Sequence, residues 1–133
     1  MDWLSVRYPL TITEVESLEQ EFNIKLPQDY KNIIGPINGG ALRNAYIEVM
    51  NLGKVAFSRN VSLQKDVKSG VRDLLPALND KVIQLFPFAS VGNGDYFCFD
   101  LTENIVVLYQ HEKQITVYVC NTFSQFLKKL TIC

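Results

Sequence analysis

The sequence predicts an α+β fold on three observations: two adjoining amphipathic segments near the N-terminus, three short β-rich runs in the C-terminal third, and a final apolar stripe with helical spacing. With 133 residues, 13 basic and 14 acidic side chains, a formal net charge of -1 and 47% hydrophobic residues, the chain suits one soluble domain spanning 1–133. The balanced charge excludes a strongly basic nucleic-acid binder and an acidic tail.

The first helix is expected to open at Thr13, where Thr13-Glu14-Val15-Glu16 has the S/T-x-x-E form of a capping box. Val15, Leu18 and Phe22 form its apolar stripe, and Glu14, Glu16, Glu19, Gln20 and Glu21 occupy wet faces. These glutamates read as a solvated face more than as an acidic docking stripe. Asn23 suits the left-handed residue that ends a helix, and Pro27 suits the first turn of the next. That second helix carries Tyr30, Ile33, Ile34 and Ile37 on one face. Gly35-Pro36 should distort it before Asn38-Gly39-Gly40 stops it, so a short, irregular helix is expected.

From Ala45 to Phe57 the alternation of Ala45, Ile47 and Val49 with Tyr46, Glu48 and Met50, followed by Asn51-Leu52-Gly53, reads as a hairpin. Residues Val61 to Asp80 read as partly helical, interrupted by Gly70 and Pro76. Tyr96 to Leu101, Ile105 to Gln110 and Ile115 to Cys120 then form an antiparallel meander. The run Ile105 to Tyr109 is apolar on both faces, which predicts a central strand covered on both sides. Asn121 or Thr122 can cap a last helix with Phe123, Phe126, Leu127 and Leu130 inward and Lys128 and Lys129 at its negative end.

No complete catalytic constellation emerges. Gly92-Asn93-Gly94-Asp95 lacks the lysine and hydroxyl of a phosphate loop and precedes a strand, so it reads as a tight turn with Asp95 bonding the local backbone. His111 is the only histidine, and too few ligands accompany it for a zinc site; neither a metal nor a cofactor is expected. Cys98 sits among Tyr96, Phe97 and Phe99, surroundings that raise a thiol's pKa and leave it inert. Asp95 and Asp100 make a poor acid–base pair because, five positions apart on a regular strand, their side chains point to opposite faces. Arg43, Lys54, Arg59, Lys65, Lys68 and Arg72 make the middle more basic, but without the interleaved aromatics that single-stranded nucleic acid needs. Three cysteines, Cys98, Cys120 and Cys133, cannot all pair within one chain, which favours a reducing cytoplasm. The N-terminus lacks the pattern of an export signal, and the longest apolar runs fall far short of the roughly 20 residues of a membrane span.

Several strings taken together resemble the SUKH superfamily, which includes yeast regulators of cell-wall glucan synthesis and many bacterial immunity proteins. They are Ile12 to Phe22; Ile24-Lys25-Leu26-Pro27-Gln28-Asp29-Tyr30; Asn38-Gly39-Gly40; Phe86-Pro87-Phe88-Ala89; Gly92-Asn93-Gly94-Asp95-Tyr96-Phe97-Cys98-Phe99-Asp100; and Phe123-Ser124-Gln125-Phe126-Leu127. The resemblance implies a twisted, largely antiparallel sheet with the N-terminal helix pair and the C-terminal helix packed around it. It brings no catalytic residues and implies a binding protein: an immunity protein that neutralises a cognate protein toxin, such as a nuclease, without touching nucleic acid or membrane itself. The alternative is a regulatory protein-interaction scaffold like the yeast relatives. The departures are Gly35-Pro36 within the second helix and Asn93 between the glycines. The matched positions explain themselves as fold determinants: Pro27 begins a helix, Gly39 and Gly40 turn the chain, and Tyr30 and Phe126 pack. If the partner lies on the sheet, Tyr46, Glu48, Asp95 and Tyr96 are the expected contributors, since aromatics anchor interfaces and carboxylates meet basic toxins.

Overall fold

A computed structural model describes residues 2–6, 9–65 and 67–132. In chain order the elements are α1 (Ile12–Phe22), α2 (Gln28–Ile37), β1 (Ala41–Val49), β2 (Gly53–Asn60), α3 (Val71–Leu78), β3 (Leu85–Ser90), β4 (Tyr96–Asp100), β5 (Ile105–Gln110), β6 (Ile115–Cys120), α4 (Phe123–Lys129) and β7 (Thr131–Ile132). The strands form one antiparallel sheet in the order β6-β5-β4-β3-β2-β1-β7. The α+β expectation, the meander and the helix positions at both ends of the chain hold.

The capping box lies two residues earlier than expected. Thr11, not Thr13, caps α1: the Glu14 backbone N–H donates to Thr11 Oγ1 at 3.3 Å, and Glu14 Oε1 accepts from the Thr11 N–H at 3.1 Å. Both threonines offer the same spacing to a glutamate, and tertiary packing decides between them. Asn23 ends α1 with φ 52°, as its left-handed tolerance predicts. Pro27 stands just outside α2 with ψ 137°, so the helix begins at Gln28.

The glutamate face of α1 is not uniformly wet. Glu19 accepts from the Leu26 N–H at 2.7 Å and pairs with Lys31 at 2.9 Å. Glu21 pairs through both oxygens with Arg72, whose hydrogen bond holds its carboxyl below the usual range. Arg72 also donates to the Leu63 carbonyl at 2.8 Å, tying α3 to α1.

The second helix is short, as expected, and runs through Gly35-Pro36 to end at Ile37, just before Asn38. Gly35 is buried because the chain before α1 crosses it: the Leu10 N–H donates to the Gly35 carbonyl at 2.9 Å, and a Cβ on Gly35 would lie 2.4 Å from the Leu10 carbonyl oxygen. The turn that follows is held by two buried asparagines. Asn38 Oδ1 accepts from the Leu63 N–H at 2.8 Å, and Asn60 Nδ2 donates to the Ile37 carbonyl at 3.1 Å.

The hairpin begins earlier than its alternation suggested, at Ala41, because an irregularity between Ala41 and Ala45, with Asn44 at φ 54°, hides the period. In the ambiguous segment Gly70 stands at the head of α3 and does not interrupt it, and Pro76 lies within the helix. Phe86 to Ala89 form a strand, β3, that their apolar run did not reveal. Pro87 is accommodated because β2 pairs β3 only at Ala89 and Ser90 and the register against β4 shifts between Pro87 and Ala89. Strand β5 is not central but next to the edge strand β6, although Val106, Val107 and Leu108 are all buried.

The core lies between the sheet and α2 with α4. The Tyr30 ring meets Phe86, Phe88, Phe99 and Phe123 edge-on at centroid separations of 4.9–6.3 Å, and Phe126 meets Phe57, Phe88 and Phe97 at 5.0–6.1 Å. Leu127 packs at the margin of the same core.

Candidate functional site

Three loops meet at one end of the sheet around a cleft of about 250 Å³. Leu26 and Pro27, between α1 and α2, form one wall; the end of β4 and its turn into β5 form another; Thr122 and Phe123, at the start of α4, close the third. Each loop is held by side-chain to backbone bonds. Glu19 fixes Leu26, as above. Asp100 Oδ1 accepts from the N–H groups of Thr102 and Glu103, each at 3.0 Å. Thr122 caps α4 by accepting from the Gln125 N–H at 3.1 Å.

Asp29 joins the two helices at this end. Its Oδ1 accepts from its neighbour Tyr30 N–H at 2.9 Å, and its Oδ2 accepts from both the N–H and the hydroxyl of Ser124 at 2.9 Å. The Leu26-Pro27-x-Asp29 string and Asp100, more than seventy positions apart, thus line one cleft together with Phe123. The family strings mark these residues as fold determinants, and only the structure shows that they line one cleft.

The four residues expected to contact a partner do not form one cluster. Tyr46 and Glu48 lie on β1, where Glu48 pairs in register with Lys54 and the Lys54 ammonium sits 4.6 Å from the Tyr46 ring centre. Asp95 and Tyr96 lie at the start of β4, three strand positions away, about 14 Å at ordinary strand spacing. Strand alternation puts Tyr46, Glu48 and Tyr96 on the face opposite the aromatic core.

The Asp95 carbonyl accepts from the Val91 N–H at 3.1 Å, but its side chain does not bond the local backbone. It reaches the β5–β6 turn, where Asp95 Oδ1 contacts His111 Nδ1 at 2.5 Å and accepts from the His111 N–H at 3.0 Å. The tight turn is closed by Asn93, whose Oδ1 accepts from the Asp95 N–H at 3.0 Å. Gly92 and Gly94 take φ of 106° and 99°, and a Cβ on Gly94 would lie 2.9 Å from the His111 ring. Gly94→Val is therefore expected to lower stability about 1 to 3 kcal/mol more than His111→Ala, since it combines a strained φ with a clash. Equal denaturation midpoints would refute this account of the turn.

A family model described as SUKH_6, SMI1-KNR4 cell-wall, matches residues 12–127. The chain belongs to the SUKH family. No curated protein matches it. The span matched as SUKH begins in α1 and ends in α4, and so contains every loop that lines the cleft.

Elsewhere in this SUKH chain, groups with latent reactivity are sequestered. Cys98 and Cys120 are buried free thiols; Cys133 lies outside the described residues. Burial pushes the Cys98 thiol well above its ordinary value and the Cys120 thiol up to about 11, which keeps both protonated at neutral pH. Among the described residues no three His, Cys, Asp or Glu side chains gather as a metal site. No helix among them is long and apolar enough to cross a membrane. The Tyr30 hydroxyl is buried without a hydrogen-bond partner among the described residues, and burial raises its pKa also.

These shifts set an alkaline limit. A group whose pKa is higher folded than unfolded contributes its full stability below its unfolded pKa, and that stability falls as pH rises, because the unfolded chain ionises first. For the two thiols the decline starts near the ordinary thiol value of 9.0, and the raised tyrosine adds to it above 10.0. The denaturant midpoint is expected to fall between pH 8 and pH 10.5, and less steeply in Cys98→Ala/Cys120→Ala. A flat midpoint over that interval would contradict the burial of these groups.

Proposed function

We propose that the protein is a non-enzymatic immunity protein that binds and neutralises a cognate protein toxin in the cytoplasm. The observation that carries this reading is the SUKH match over residues 12–127, since resemblance to that superfamily implies a protein-binding role. The geometry supports it. The recessed feature shared by the family strings is a side-chain-sized cleft, the lone histidine is engaged by Asp95, and the buried thiols are kept protonated. Free thiols also suit a reducing compartment. Tyr46, Glu48, Asp95 and Tyr96 are proposed as further contacts. A standard interface covers about 800 Å² on each partner, enough to span the roughly 14 Å between the two pairs.

The test is co-expression with the toxin domain encoded beside the gene. Protection is expected to be stoichiometric and to fail when toxin exceeds the immunity protein. In the isolated complex, Tyr46→Ala and Tyr96→Ala are each expected to weaken binding by about 2 kcal/mol, as anchor residues do. Protection at strongly substoichiometric levels would mean turnover. The family description also names the cell wall, so failure to bind any such toxin domain would favour a regulatory scaffold.

A further inference from the structure

We propose that the cleft between Leu26, Asp100 and Phe123 receives an arginine or lysine side chain of the protein partner, its stem against the apolar walls and its charge at Asp100. This rests on the reading of the chain as a protein-binding module and names what the bound protein inserts. The volume, about 250 Å³, lies below the roughly 300–1,000 Å³ of small-molecule and cofactor sites and suits a single long side chain. Leu26, Phe99, Val106 and Phe123 supply apolar walls of the kind that cover the methylene stem of a basic residue.

Two carboxylates and one ammonium group line the cleft, and the three are not equivalent. Both oxygens of Asp29 are committed to Tyr30 and Ser124. Asp100 spends only Oδ1, on the turn that follows it; Oδ2 accepts no hydrogen bond among the described residues. The two bonds to Oδ1 hold the carboxylate in place before a guest arrives, which lowers the entropy lost on binding. A guanidinium or ammonium donor offers the solvent-facing Oδ2 a charge-assisted partner in place of water. Lys25 lies on the same rim and opposes such a guest.

The test uses the full-length ¹⁵N-labelled protein titrated at low salt with acetyl-Gly-Arg-Gly-amide, with norleucine and glutamate peptides of the same form as comparisons. The arginine peptide is expected to give saturable amide shifts confined to the cleft loops around Leu26, Asp100, Asn104 and Phe123, and to bind at least about threefold more tightly than the norleucine peptide. Asp100→Asn keeps an oxygen for the Thr102 and Glu103 N–H groups and removes the charge. It is expected to weaken the arginine peptide about three- to tenfold while leaving the norleucine peptide unchanged. Lys25→Ala, on an exposed side chain that no turn depends on, is expected to tighten arginine binding and provides an answer if Asp100→Asn proves unstable. Arginine shifts outside the cleft, tighter binding of the glutamate peptide, or weaker arginine binding in Lys25→Ala would overturn the proposal. These readouts require no toxin. A positive cleft with no toxin protection would count against the immunity reading alone, and protection by an Asp100→Asn protein with unchanged toxin affinity would count against the cleft alone.

Discussion

Phe88→Ala is expected to lower the free energy of unfolding by about 3 to 5 kcal/mol, the range for deleting a buried aromatic ring. Phe88 is completely buried, and its ring stacks on Phe99 at 4.3 Å while meeting Tyr30, Phe123 and Phe126 edge-on at 5.0–6.2 Å. These neighbours come from α2, β4 and α4, so no single element can move inward to fill the space without loosening the others. The cavity therefore persists and adds its own penalty to the lost transfer energy. Phe88→Leu, which retains much of the volume, should cost clearly less. Urea denaturation of the three proteins is the measurement, and a loss below about 1 kcal/mol for Phe88→Ala would show that the core is not organised around this ring.

Gly35→Ala is expected to destabilise by about 2 kcal/mol, although helix propensity alone argues for a gain of about 1 kcal/mol at a helix-interior glycine. The two effects have opposite signs, which makes the substitution decisive. The added methyl would sit 2.4 Å from a backbone oxygen of Leu10, where no side-chain rotation can relieve it, and moving that strand of chain breaks the 2.9 Å bond from Leu10 N–H to the Gly35 carbonyl. A stabilised Gly35→Ala protein would mean that the segment before α1 does not lie against α2. Gly35→Val should be worse still, because it adds bulk at the same contact.

Local signals marked much of the fold. The meander was legible because each strand is rich in aromatic or β-branched residues and each connection is short and polar, and both properties are local. The last helix was legible from Thr122, its apolar spacing and its terminal lysines. The second helix ends at Ile37, as its stop signal at Asn38-Gly39-Gly40 implies, but the reason Gly35 stands inside it was not legible. Here the glycine is required by a crossing chain twenty-five positions earlier, and that requirement leaves no trace in its neighbours. Strand β3 was missed for a related reason: both faces are covered and a proline interrupts it, so neither alternation nor a clean run of β-formers marks it.

The candidate site was legible only in pieces. Leu26, Pro27, Asp29, Asp100 and Phe123 could each be singled out within a family string, but their meeting point could not, because strand order β5-β4-β3 and the return of α4 over α2 bring them together. His111 could be set near Asp95 or Asp100 from the sequence, and the structure pairs it with Asp95, sixteen positions earlier. By itself the sequence determined where most helices and strands form and which residues are apolar enough to be buried, since those follow from period, capping and composition over a few residues. Tertiary structure alone decided that Gly35 must be small, that Glu19 and Glu21 are paired and not free, and that Asp100 lines a cleft with Leu26 and Phe123. Each of these depends on which distant backbone or side chain lies within a few ångströms, and contacts of that range are set by the packing of the whole chain.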